Sequence, residues 1–224
     1  MVEISIEASP KKVFASAVEW PGWSRSGKTD ALVLDALIAS GERYAVVARE
    51  AGLAFEPPGA AELTVVERVP GVAGTEFGVP SVVTDLDRRA VTAADAARLA
   101  TLLAAAWTVF ERVVAGASAE LRKGPRGGGR DRDKIVGHVV ESEWSYARQI
   151  GLRIPQADPT DRAAVAAQRA AMLAVLDRPS DGSPIAGRTW PPRYAVRRIA
   201  WHALDHAWEI ADRSIPSPEL GTPR

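Results

Sequence analysis

From about residue 91 onward, apolar side chains recur every three to four positions, a period that commits this part of the chain to long helices. "TAADAARLATLLAAAWTVFERVVAGAS" puts Leu99, Leu102, Leu103, Ala106, Phe110, Val113 and Val114 on one face. Thr92 is suited to cap its start, with Asp95 three positions on, close to a capping box. "RDRDKIVGHVVESEWSYARQIGL" reads as a second amphipathic helix, with Asp131 or Asp133 near its start and Gly151 after it. "DPTDRAAVAAQRAAMLAVLDR" is a third, opened by Thr160 and closed by Pro179. "PPRYAVRRIAWHALDHAWEIADRS" is the fourth, with Pro191 and Pro192 suited to its first turn. An all-α four-helix bundle across residues 89–224 is the expected architecture, with "IPSPELGTPR" as a loosely ordered tail.

Residues 1–88 carry shorter signals and read as a small α+β module. "VEISIEA" alternates apolar and polar residues, "VFASAVEW" does so loosely, and "ELTVVERV" and "PSVVTDL" are two further candidate strands. "PGWSRSGKT" is a turn-rich connection. "TDALVLDALIASGERYAVVAREAG" is helical, with Thr29 or Asp30 as cap, Gly52 at the far end and Gly41 as a candidate break.

The 28 basic and 28 acidic residues cancel, so charge gives no general reason to expect nucleic acid or an anionic membrane as partner. The polar start "MVEISIEASPKK" is unlike a signal peptide. No apolar run approaches the roughly 18 residues of a membrane span, so a cytoplasmic protein is expected. With no cysteine, the chain offers no disulfide, thiolate ligand or thiol nucleophile, and any thiol chemistry has to use a small-molecule thiol.

Histidine is used three times only, at His138, His202 and His206. Residues four apart on a helix stand one above the other, about 5–6 Å between Cβ atoms, so His202 and His206 can reach one metal ion. Ile199 and Ile210 complete their stripe, which should face the interior, while His138 has Ile135 and Ser142 as face neighbours. If the second and fourth helices are adjacent, three imidazoles meet with coordination positions left for water or substrate, the pattern of a catalytic metal. Spacing alone equally allows hydrogen-bonded histidines of the core or surface. Three neutral imidazoles suit zinc, nickel or iron(II) about equally.

"HVVESEW", followed some sixty residues later by "HALDHAWEIADR" within four predicted helices, resembles the DinB/YfiT-like metalloprotein family over residues 90–213. The resemblance implies a divalent metal held by His138 from the second helix and by His202 and His206 from the fourth. It also implies a small-molecule substrate and thiol-dependent S-transfer or isomerisation with mycothiol, bacillithiol or glutathione. Bundles of this type often pair, which leaves a homodimer open. Metal-assisted hydrolysis is the enzymatic alternative, and a metal-holding binding or regulatory protein the non-enzymatic one. In the N-terminal part, "PGW…GKTDALVLDA" is similar to HicB-type antitoxin modules, although the DNA-binding segment expected to follow is absent.

Other residues could complete such a site. Asp205 and Glu141, each three positions from a histidine, are candidates to orient an imidazole, and Glu141 also to act as general base. Glu209 has the same offset from His206, and Glu143 matches an acidic position common in the family but should face elsewhere. For each acid a surface ion pair is the plainer role, with Arg198 or Arg213 as partners for Asp205. The basic segment "LRKGPRGGGRDRDK" offers Arg126 and Arg130 as candidates to hold an anionic substrate, or is a solvated linker; it lacks the features of a phosphate-binding P-loop. Trp144 and Trp190 are candidate walls of a substrate pocket, the alternative for the chain's tryptophans being core or interface packing.

Overall fold

In the computed structural model, which describes residues 1–124 and 128–215, β1 (Val2–Ala8) is the centre of a four-stranded sheet. β2 (Val13–Ala17) runs antiparallel beside it, pairing Ile4 with Ala17 and Ile6 with Ala15. β3 (Ser24–Gly27) continues beyond β2, and β4 (Leu63–Pro70) lies parallel on the other side of β1. β3 was hidden in the turn-rich "PGWSRSGKT" because a polar edge strand has no apolar alternation. It is held by its ladder to β2 and by the Ser24 hydroxyl, which donates to Ser16 Oγ at 2.8 Å.

The expected strand "PSVVTDL" does not form. Acidic side chains take the backbone N–H groups that a ladder would need. Glu7 accepts from Ser81 and Val82 at 3.2 and 3.0 Å, Glu67 from Asp85 and Leu86 at 2.8 and 3.1 Å, and Asp87 from Thr84 at 2.9 Å. With these donors taken by carboxylates, the segment runs as coil into a 3₁₀ turn at Leu86–Arg88.

The long helix expected after Thr29 is two helices, α1 (Asp30–Ala39) and α2 (Gly41–Glu50). Ser40 is the joint: its hydroxyl donates to Leu37 O at 2.7 Å and accepts from the buried Trp23 indole at 3.0 Å. Gly41 fits under Pro57, where a Cβ would stand 3.0 Å from the proline ring. After the short α3 (Ala73–Glu76) come α4 (Ala93–Gly116), α5 (Arg132–Gln149), α6 (Arg162–Leu176) and α7 (Pro192–Arg213). Thr92 and Asp95 form the full capping box at α4. α6 starts one residue later than expected, because Asp161, not Thr160, accepts from the N–H groups of Ala163 and Ala164; Thr160 turns back to Asp158.

α4 packs on α7, α6 and α2, while α5 packs on α7 and α6. One contiguous apolar core runs from Ile4, Trp23 and Leu37 through Leu103 and Phe110 to Ile135, Ile199 and Leu204, so sheet and helices share it. α4 amends one expectation: by length and composition it is apolar enough to cross a membrane, but half of its apolar stretch is buried within the chain. Residues 216–224, the expected tail, lie outside the described residues.

The 3₁₀ turn is tied to α7 by a buried ion pair. Arg197 donates to both oxygens of Asp87, at 3.1 Å from Nε and 2.6 Å from Nη2, and its Nη2 also reaches Val82 O at 3.1 Å. Removing one partner leaves the other charge buried and unmatched. Asp87→Ala is therefore expected to destabilise the chain by about 3–5 kcal/mol, read as a lower urea midpoint. An unchanged midpoint would show the pair to be incidental.

Candidate metal centre

α7 is buried along most of its length, and small residues let its neighbours come close: Ala195, Ala200, Ala203 and Ala207 are all in the core. Ile199 and Ile210 flank the histidines on the buried stripe. α5 lies against this helix with Ile135 and Val139 in the core, and His138 between them in sequence is carried to the same place.

The three rings converge. Centroids are 5.1 Å apart for His138 and His202, 5.1 Å for His138 and His206, and 4.7 Å for His202 and His206. One ring nitrogen from each lies within 4.8 Å of the others. The Nε2 atoms of His138 and His202 are 3.2 Å apart. Two nitrogens bound tetrahedrally to one zinc ion at about 2.0–2.1 Å stand roughly 3.4 Å from each other, so the spacing suits a shared cation. His202 is buried, whereas His138 and His206 are part-exposed, so the cluster is reached from their side.

The ring of His206 is oriented by a carboxylate. Its Nδ1 is 2.9 Å from Glu209 Oε2, and Glu209 Oε1 accepts from Arg213 at 2.6 Å. The hydrogen bond with His206, and then Arg213, hold the Glu209 carboxyl below its ordinary range, so it is an anion able to accept the Nδ1 proton and leave Nε2 as the free nitrogen. His202 has no such support: its Nδ1 is buried with no hydrogen-bond partner.

The other sequence candidates divide. Asp205 does not orient a histidine, nor does it pair with Arg198 or Arg213; it turns to β3, where Arg25 donates to it at 3.3 Å. Glu141 is exposed on α5, and its carboxylate makes no hydrogen bond or ion pair among the described residues. Glu143 faces away from the histidines, as expected, into a buried pair with Arg169 at 2.9 and 3.1 Å, and burial raises its carboxyl despite that arginine. Trp144 is not at the histidines: its indole donates to Ile154 O at 2.9 Å, and it lines a separate recess with Arg148, Leu152 and Arg188. Trp190 lies nearer, 5.3 Å from the Tyr146 ring, which is itself 5.6 Å from His202. Arg130 is exposed, and its positive charge opposes protonation of both His138 and His202. Arg126 lies outside the described residues.

Two neighbours of the cluster have no such role in the sequence reading: Tyr146, and Arg198, which enters there only as a partner for Asp205. Both stand on the stripes already drawn: Tyr146 is two turns past His138, and Arg198 one turn before His202. The fourfold spacing that picked out the histidines would have found them.

No family model, curated protein or solved structure matches the chain.

Burial, and after it the charge of Arg130, lowers His138 below the ordinary imidazole value of 6.5. Burial, then His206 and Arg198, push His202 well below it. Both rings are therefore kept neutral, the form that binds a cation. A depressed folded-state value means that the unfolded chain binds protons more readily. Stability from these groups is complete above the unfolded value of about 6.5 and is lost as pH falls from there toward the folded values. The metal-free chain should show a lower urea midpoint at acid pH than at neutral pH, and His202→Gln should shrink the difference. An equal difference in the variant would remove His202 from the account.

Proposed function

We propose that the chain is a divalent-metal-dependent enzyme in which α4–α7 form a four-helix bundle of the DinB/YfiT type. His138, His202 and His206 are its metal ligands and a small-molecule thiol is its nucleophile. The convergence of all three histidines of the chain on one point, from two separate helices, carries this reading. The donor set fits: three nitrogens, two kept neutral by burial and one oriented by Glu209. A divalent ion held there would lower the pKa of a bound thiol or water and add positive charge where negative charge develops.

The rest is supplied by the chain. His202 anchors the buried side, while His138 and His206 border solvent and so define where a substrate enters. Glu209 holds His206 in one tautomer through its Nδ1 proton. Tyr146 and Trp190 wall the approach with aromatic surface, and burial keeps the Tyr146 phenol protonated, with its pKa raised. The thiol must come from outside because the chain has no cysteine. S-transfer, or isomerisation through a reversible thiol adduct, is the chemistry such a site is suited to.

Metal analysis of protein without a polyhistidine tag should find one divalent ion per chain, lost in His202→Ala and His206→Ala. Unchanged stoichiometry in both variants would rule the site out. Glu209→Gln should keep the ion but weaken its binding about 10–100-fold, as loss of an orienting partner does elsewhere. Consumption of mycothiol, bacillithiol or glutathione with candidate electrophiles should need the metal-loaded chain. No response to any thiol would turn the reading to hydrolysis, and unfolding on metal removal would turn it to a structural ion.

A further inference from the structure

α7 carries four arginines, and three are matched by acids. Arg193 lies 3.2 Å from Glu19 and 3.6 Å from Asp95, Arg197 2.6 Å from Asp87, and Arg213 2.6 Å from Glu209. Arg198 is different. It is only 8% exposed, no carboxylate among the described residues pairs with it, and its Nη1 is fully buried with no hydrogen-bond partner. The other two buried arginines, Arg169 and Arg197, each face a buried carboxylate. A buried cation without a counter-charge is costly, so native chains rarely keep one that has no use.

Its position gives it one. The guanidinium carbon is 4.9 Å from the centre of the Tyr146 ring and 4.8 Å from that of Trp201. The same two rings lie 5.6 and 6.2 Å from His202. Arg198 stands one helical turn before His202 on the same stripe, and its charge is felt by that imidazole. The two aromatic faces hold the guanidinium by cation–π attraction, and its in-plane Nη1 is left without a hydrogen-bond partner. A planar fork of donors beside the histidines matches the paired oxygens of a carboxylate or a phosphate.

We propose that Arg198 is the anion-recognition residue of the histidine site, taking the carboxylate or phosphate group of a small-molecule substrate or thiol whose reacting atom lies at the three imidazoles. The inference rests on the metal-site reading for the position of the reacting atom, but not for binding of the anion. The oxyanion replaces the missing counter-charge, and the cation in turn selects anionic ligands over neutral ones.

Acetate and inorganic phosphate serve as probes, titrated separately into the full chain in metal-loaded and chelator-treated forms and followed by calorimetry and tryptophan fluorescence. At least one anion should saturate in both forms, the stronger of the two telling carboxylate from phosphate. Arg198→Met should weaken it at least tenfold, leave metal stoichiometry unchanged and raise Tm, because an unmatched buried cation has been replaced by an apolar chain of similar length. Arg198→Lys, with charge but no fork, should bind more weakly than the parent and more tightly than the Met variant. No binding of either anion by the parent, or equal affinity in Arg198→Met, overturns the proposal. Should the Met variant not fold, unaltered affinity in Arg198→Lys overturns it. Arg198-dependent anion binding in a chain that takes up no metal would sink the metal reading and leave this one standing; normal metal uptake with anion binding indifferent to Arg198 would do the reverse.

Discussion

A helix enclosed by its neighbours can keep polar side chains only if each is matched, and α7 is such a helix. Its charged residues have been matched element by element: Arg193 to the end of the sheet region and α4, Arg197 to the 3₁₀ turn, Asp205 to β3, and Glu209 to Arg213. What remains is Arg198 and two histidines on one stripe, met by the third histidine from α5. The polar remainder of a buried helix is thus concentrated at one place. Three imidazoles, of which His202 is buried, stand beside a buried cation that no acid among the described residues pairs with.

The small N-terminal part contributes to this by bracing α7 at Ala200, Trp201, Leu204, Asp205 and Trp208. Arg25 of β3 lays its guanidinium 3.9 Å over the Trp208 ring and reaches Asp205; burial lowers its pKa to about 10. Phe14 of β2 meets Trp201 edge-on at 6.0 Å. At Gly22, with φ +93°, a Cβ would stand 2.8 Å from Leu204 Cδ1 and 3.1 Å from Ala200 Cβ, so the Pro-Gly turn presses its backbone directly on α7. Behind that turn Trp23 stacks on Tyr44 at 5.6 Å, and Tyr44 donates to Pro21 O at 2.9 Å, which fixes the turn in place. Trp201 and Trp208, which flank the histidines in sequence, are therefore held by sheet residues, and the sheet bears on the rotation of α7 about its axis.

The long helices and the His202–His206 pair were legible in the sequence because both rest on one periodicity, whereas the meeting with His138 depends on α5 packing on α7. The 3.6-residue repeat that buries Leu99 and Phe110 also puts His202 below His206, and neither needs knowledge of distant partners. Illegible were features decided by such partners. The "PSVVTDL" segment has strand composition, but Glu7 and Glu67 from other strands claim its donors. β3 has no apolar pattern, and only its ladder to β2 makes it a strand. Asp205 had the offset of a histidine partner, yet an arginine 180 positions away in sequence offers it a charge, and the charge wins. Glu209 and Asp205 have the same local warrant, and only the tertiary surroundings separate them.

The basic connection between α4 and α5 gains a physical link to the site from Arg213. This side chain donates to Arg122 O at 2.9 Å and Arg130 O at 3.0 Å, and with its remaining Nη1 to Glu209, which orients His206. Gly129, at φ +126°, leaves room for it: a Cβ there would meet the Arg213 guanidinium. Lys123 joins the same connection through its ion pair with Asp131, the residue immediately before α5. The described residues of this connection are thus tied to the helix bearing His138 through Asp131, and to the carboxylate beside His206 through Arg213. The arginines of this segment need not touch a ligand for the segment to matter. Arg213 joins the backbone at Arg122 and Arg130 to the carboxylate beside His206.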